Sequence, residues 1–436
     1  MRNGVFGVLS TGLSGLTNVV VQLVAAAVLS ASDFGEFSIA ATTVILVVGL
    51  ARAVVGQTDM IRGPSGRDPR PVAAAYLLAL LVVLGGILAL LISTSLGGSV
   101  LWLIGLGVSA SSVFVLQDCI RYRSFRERRA GVALLSDGVA TGALIILVPV
   151  MLTLQPSPAA ALAAWTVATG IGAIAGAIPL RYAPRGPRSG GGWVFENRDL
   201  VAPAVGEYAI QSALPYALNF VILGLGGLDA LAGYRLAQLL FAVIANLATG
   251  LNNVTLPYVV EHRSPRTARR VAHAESLVIV LLGGIVLAAL FAVPTQLGVD
   301  LFSAAWTSML AFAWPAAVHG VVNALAVPVF SLLRLIGLAR YSFFVRIASA
   351  VATLLAAIIA STAGPVAVAW ALALAATVYA LRHLTELLAS SPGPVGAAWA
   401  LALPATAAYL ARWVGAELRV AALVREGGTI PLISRT

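Results

Sequence analysis

Runs of about 20 apolar residues recur from one end of this 436-residue chain to the other, and arginine gathers in every second gap between them. A helix needs about 20 such residues to cross the roughly 30 Å hydrocarbon core of a bilayer. With 60% hydrophobic and only 10% charged residues, the chain has too few polar groups to clothe soluble domains. A transmembrane barrel would instead show short segments of alternating hydropathy, and none is present. The pattern predicts an all-α polytopic membrane protein.

The expected spans are 5–29, 37–51, 72–92, 100–116, 132–154 and 159–180, then 200–223, 229–261, 271–293, 305–333, an eleventh ending near Ser361, and 366–384. A Gly/Pro/Arg-rich loop follows the second span at 51–71, and a basic stretch, QDCIRYRSFRERRAG, follows the fourth. RYAPRGPRSGGGWVFENRD, residues 181–199, reads as a flexible basic linker. It divides the chain into a six-helix bundle over 1–180 and a second over 200–390. Residues 391–436 hold a further apolar segment and a basic tail. That segment, 396–411, contains Pro404 and reads as interfacial, re-entrant or a thirteenth span. GPVAVAWALALAAT (364–377) and GPVGAAWALALPAT (393–406) also match closely, as a local duplication would.

All 27 basic residues are arginine, and 22 of them fall on one side of this span arrangement. The opposite loops hold none; Arg235 and four tail residues are the remainder. The positive-inside rule therefore places the N-terminus in the cytoplasm. The first apolar run lacks a cleavage site and reads as a span, not a removed signal. Abundant Ala, Gly, Val and Arg suit a GC-rich bacterial genome and a plasma-membrane location. In a soluble protein the net charge of +10 would point to nucleic acid. Here the charge meets anionic membrane lipids, and no nucleic-acid partner is expected. The single cysteine, Cys119, excludes an intrachain disulfide or a cysteine-cluster metal site.

The eighth run, 229–261, carries an arginine within it. At 100° per residue Arg235, Gln238, Asn246, Thr249 and Asn253 share one helical face, opposite Leu240, Val243, Leu247 and Leu251. Such a stripe turns away from lipid, either toward a polar cavity or to join helices by hydrogen bonds. In the seventh run Gln211 and Asn219 lie on one side with Pro215 between them, and Glu207 is an ionisable group that could bind a proton or Na⁺, or form an ion pair.

Several chemistries are missing. No G-x-x-x-x-G-K-[ST], G-x-S-x-G or H-E-x-x-H occurs, and the four histidines have no metal-ligand spacing. No cofactor and no metal are expected. Asp33 and Glu36, in the first outer loop, would suit catalytic carboxylates of a polyprenyl-phosphate glycosyltransferase. The blander reading, which the sequence favours, is that they solvate the loop and cap the next helix with Ser30 or Ser32.

Several phrases resemble the multidrug/oligosaccharidyl-lipid/polysaccharide (MOP) exporter superfamily, and within it the polysaccharide-biosynthesis flippases. They are SASDFGEFSIAATTVILVVGLARAVVG, QDCIRYRSFRERRAGVALLSDGV, LAGYRLAQLLFAVIANLATGLNNVTLPYV and the stretch from LRLIGLARYSFF to the twelfth span. The resemblance implies about 12 transmembrane helices in two six-helix bundles around a central cavity that opens alternately to each side. It also implies a cationic cavity for a lipid-linked pyrophosphate. Arg235 matches an arginine of the eighth span in related lipid II flippases, and Arg52 one at the inner end of the second span; a helix-end arginine is also a common lipid-headgroup anchor.

The expected function is therefore non-enzymatic: translocation of a lipid-linked oligosaccharide or polysaccharide precursor to the outer leaflet. The expected partners are a polyprenyl-linked glycan, membrane lipids, and an envelope glycan polymerase or glycosyltransferases. The cavity set is Arg235, Gln238, Asn246, Asn253, Gln211, Asn219 and Arg52, with Glu207 for ion coupling. Two alternatives stay open: a multidrug or small-molecule exporter of the same superfamily, and a membrane glycosyltransferase or polymerase.

Overall fold

A computed structural model describes residues 2–61, 68–96, 99–180, 187–209, 214–262, 265–302, 304–335 and 339–388. All regular elements among them are helical. The first lobe contains α1 (Arg2–Val28), α2 (Ala31–Ala51), a π-helical turn (Arg52–Gln57), α3 (Thr58–Ile61), α4 (Arg70–Leu96), α5 (Ser99–Arg126), α6 (Ala130–Leu154) and α7 (Pro158–Leu180). After α8 (Pro187–Glu196) come α9 (Arg198–Tyr208), α10 (Leu214–His262), α11 (Pro265–Ala292), α12 (Thr295–Phe302), α13 (Ala304–Leu335), α14 (Ala339–Ala360) and α15 (Pro365–Leu388).

Nine described stretches are long and apolar enough to cross a membrane, and two shorter apolar helices follow them. One of the nine, Tyr216–Ala248, holds two passages, because the chain reverses inside α10 at Gly227. The φ of +72° there lies in the left-handed region that a residue without Cβ enters freely. The described residues thus form twelve passages, six in each lobe.

The passages pack through small residues, as helices in lipid do where apolar surface alone gives no drive to associate. A Cβ on Gly107 of α5 would lie 2.6 Å from the Ala40 carbonyl of α2, and one on Gly172 of α7 would meet Ala140 of α6 at 2.6 Å. Gly233 of α10 sits as tightly on Ser308 of α13. Large apolar side chains point the other way: Leu81, Leu84, Leu88 and Leu91 of α4 are exposed, as a lipid-facing stripe requires. Phe34, Phe37, Phe114 and Trp165 fill the first lobe, with the Phe114 and Trp165 rings edge to face at 4.8 Å.

Four elements differ from the sequence-based expectation. The second span does not end at 51; it continues through the π-helical turn to Ile61, into the stretch expected as a loop. The fourth span carries on as helix to Arg126, because its basic residues pair with carboxylates instead of ending the helix. The seventh span is divided between α9 and the first arm of α10. Finally, the linker expected to be flexible contains α8. Its Trp193 is buried with Val55, Ala74 and Ala75, and Gly190 lies against the Ala73–Ala74 backbone of α4. Close approach at Gly190, and the ion pair Arg70–Glu196 at 2.8 Å, hold a glycine-rich helix that propensity alone would not favour. Against the upward push of burial, hydrogen bonds from Arg70 keep the Asp68 carboxyl at the start of α4 below its ordinary value. Residues 396–411, including the local duplication, lie outside the described residues.

Candidate functional site

The lobes meet where α1 and α2 pack on α10. At one end Gly35 of α2 lies so close to the Leu228 carbonyl that an added Cβ would sit 2.6 Å from it. Along the seam α1 runs beside the second arm of α10. Gly15 faces Asn246, and seven residues along α1 Gln22 meets Arg235. Asn246 and Arg235 are eleven residues apart, three helical turns, so both contacts fall on one edge of the α10 arm.

Arg235 is 7% exposed and Gln22 2%, so this contact is dry. Arg235 Nη2 donates to Gln22 Oε1 at 2.9 Å, and Nη1 to Gln238 Oε1 at 2.9 Å. Gln22 Nε2 donates to the Asn18 carbonyl at 3.0 Å. That bond fixes which end of the amide faces the arginine, since the reverse orientation would set donor against donor. Arg235 Nε is buried without a partner. No carboxylate pairs with Arg235 among the described residues. Its immediate chain neighbours are Tyr234 and Leu236, and Tyr234 packs edge to face on Phe312 at 5.5 Å.

Asn219 lies on the first arm of α10, eight residues before Gly227, as Arg235 lies eight after it. The two are therefore at similar depth, about 12 Å from the turn. Asn219 is buried, and its Oδ1 has no partner. Gln238 and Asn246 thus join Arg235 at the seam. Gln211 and the side chains of Asn253 and Glu207 lie outside the described residues.

Arg52 is placed differently. It opens the π-helical turn inside the first lobe and grips Asp118 of α5 with two hydrogen bonds, Nε–Oδ2 at 3.1 Å and Nη2–Oδ1 at 3.0 Å. Arg121 also pairs with Asp118 and donates to Ser14 of α1 at 2.5 Å. Nearby, Asp137 of α6 accepts from Ser10 at 2.5 Å and from Gln117 at 3.5 Å. These groups border a cavity of about 60 Å³ between α1, α2, α5, α6 and α7, enough for a few water-sized occupants. Two arginines and two aspartates make its formal charge balanced. Arg52 therefore contrasts with Arg235, which has only neutral partners among the described residues.

Reasoning from sequence singled out none of Gln22, Asp118, Arg121 or Asp137. Asp137 could have been found, being an acid inside the fifth span. Asp118 and Arg121 looked like part of a basic loop until the helix was seen to run through them. Gln22 had no distinguishing mark beyond being an amide inside the first span.

Asp33 caps α2. Its amide donates to Ser30 Oγ at 3.1 Å, and Ser30 Oγ donates to its carboxylate at 2.6 Å. At the arginine-bearing end, Asp59 takes Arg123 and Arg126, and Tyr208 of α9 donates to the Leu46 carbonyl of α2 at 2.9 Å. No cluster of His, Cys, Asp or Glu suited to a metal ion occurs among the described residues.

No family model and no curated protein matches the sequence. Solved structures do match the fold. The lipid II flippase MurJ, in an inward closed conformation, superposes with a TM-score of 0.68 at 11% identity, over 96% of this chain and 96% of that one. An inward-facing multidrug resistance MATE family transporter of the MOP superfamily gives 0.65 at 16% identity, covering 86% and 95%. A MOP superfamily transporter from Pyrococcus furiosus, described by the reverse polarity of its binding pocket, gives 0.60 at 16% identity, covering 88% and 94%.

Proposed function

We propose that this chain, which has the fold of the MOP-superfamily transporters, moves a lipid-linked oligosaccharide or polysaccharide precursor from the cytoplasmic to the outer leaflet by alternating access. The observation that carries the reading is Arg235, a buried guanidinium between the lobes with no carboxylate partner among the described residues. A buried charge without a counterion is costly. It is understandable where a transient anion completes it, and the planar guanidinium fork suits phosphate oxygens. Gln238, Asn246 and Asn219 would offer hydrogen bonds to the sugars, and Gln211 and Asn253 are proposed for the same role from the sequence alone. Arg52 serves the first lobe through Asp118, and its place in the substrate path is secondary. Glu207 remains the ion-coupling candidate.

On this reading the protein sits in a bacterial plasma membrane with its N-terminus and arginine-bearing end in the cytoplasm. A polyprenyl-linked glycan is its substrate, and the enzymes that build or polymerise that glycan work on either side of it. Export of a small drug-like molecule is the second reading, supported by the likeness to a MATE transporter. A site built for apolar cations, however, would not be served by an unneutralised arginine.

The test is the sidedness and amount of lipid-linked oligosaccharide in cells depleted of the protein. The expected result is accumulation on the cytoplasmic leaflet, which Arg235→Ala protein fails to relieve although it reaches the membrane. An unchanged lipid pool with lost tolerance to toxic compounds would favour small-molecule export instead.

A further inference from the structure

Gln22 occupies Arg235 in a way that only a neutral group can. Its amide oxygen accepts from Nη2 at 2.9 Å, while its nitrogen is tied back to the Asn18 carbonyl. A carboxylate at this position would pair permanently with the guanidinium. A hydrocarbon side chain would leave another buried donor unmet. The contact also joins α1 of the first lobe to α10 of the second, so it is both a ligand surrogate and an inter-lobe tie.

We propose that Gln22 is a substrate-displaced latch: the anionic headgroup of a lipid diphosphate takes its place on Arg235, and losing that bond frees α1 from α10. This rests on the flippase reading above and adds how binding is coupled to movement of the lobes. The exchange has a direction. Gln22 offers the guanidinium one neutral acceptor oxygen, whereas a diphosphate can take the planar fork bidentately and gives it a counterion. A neutral or cationic ligand offers no such gain, so Gln22 acts as a specificity-determining residue for anions. The orphaned Nε of Arg235 gives the incoming oxygens a second donor that Gln22 leaves unused.

The seam supplies its own reporter. A Cβ on Gly15 would lie 3.5 Å from the Asn246 Cβ, within the range of about 3.5–4.5 Å that a disulfide spans. In full-length protein carrying Cys119→Ser, the pair Gly15→Cys and Asn246→Cys should cross-link readily under mild oxidation. Farnesyl diphosphate should slow this at least about tenfold, a charged acceptor replacing a neutral one. Inorganic pyrophosphate should act only at higher concentration; equal potency would point to free diphosphate and overturn the latch as a step in lipid transport.

Gln22→Leu, close in volume, should bind farnesyl diphosphate up to about tenfold more tightly and cross-link slowly even without it. Gln22→Glu should bind it at least about tenfold more weakly and cross-link whether or not it is present. The latch is overturned if farnesyl diphosphate binds through Arg235 yet leaves cross-linking of otherwise native protein unchanged, or if Gln22→Leu gains no affinity. The first comparison needs no Gln22 variant and stands even if those fold poorly. Should Arg235→Ala bind farnesyl diphosphate as well as native protein, the flippase reading itself falls.

Discussion

Arg52 and Asp118 are joined by two parallel hydrogen bonds, at 3.1 and 3.0 Å, that pin the π-helical turn of the second passage to α5. Asp118 also neutralises Arg121, so one carboxylate serves two guanidinium groups. Removing it leaves both charges stranded. Asp118→Asn should destabilise the protein by about 3–5 kcal/mol, the range for breaking a buried pair. Arg52→Gln should cost about 1 kcal/mol or less, because Arg52 is about a third exposed and Asp118 keeps Arg121. Thermal unfolding in detergent compares the two; equal losses would mean that Asp118 answers mainly to Arg52.

Gly49 and Tyr208 bring α2 and α9 together at the arginine-bearing end. A Cβ on Gly49 would lie 2.2 Å from the Tyr208 hydroxyl oxygen. Gly49→Ala should cost about 1–3 kcal/mol through overpacking, and most of that loss should vanish in a Tyr208→Ala background. A double-mutant cycle by thermal unfolding measures the coupling. Additive effects would show that the clash is relieved elsewhere.

Asp33 separates a transporter from a glycosyltransferase. Its contacts are those of a helix cap, so Ser30→Ala should lower stability by about 1 kcal/mol. Asp33→Asn should leave the pool and sidedness of lipid-linked oligosaccharide as in native cells. Loss of glycan assembly with an intact Asp33→Asn protein would instead mark the carboxylate as catalytic.

Trp193 is the anchor of α8 on α4 and the π-helical turn. Trp193→Ala should cost about 3–5 kcal/mol of local packing. It should also speed proteolytic cleavage within 181–199 well beyond the native rate. Gly190→Leu should do the same by blocking the approach of the two backbones. Unchanged cleavage in both variants would mean that α8 is held by something other than this contact.

What could be read from the sequence followed from how long each signal is. A passage is announced by about 20 residues, and the arginine asymmetry by more than twenty positions, so the helical membrane architecture was legible. Arg235 was legible as well, since a charge inside an apolar run is conspicuous. Its partner was not: Gln22 lies 213 positions away, and nothing local in the first span marks that residue as facing another lobe. Arg52 was noticed for its place at a helix end, but its role depends on Asp118, which the basic residues around it disguised as loop. The same limit explains α8. Three consecutive glycines argue for flexibility on local grounds, and only the close approach of α4 turns them into a reason for helix.

Asn197 is the single residue between α8 and α9. It is fully buried, and its side-chain amide donates to the Trp193 carbonyl at 2.5 Å. The described part of the linker, 187–199, therefore has little slack: α9 starts from a point held to α4 through α8. A joint of that kind is an axle rather than a tether. On the alternating-access reading proposed above, α8 and α9 stay with the first lobe, on which they pack, and tilting is the motion that opens the seam. If the protein moves a lipid-linked substrate as proposed, the width of its opening toward lipid is set by an angle, and the largest headgroup it admits by how far that angle swings.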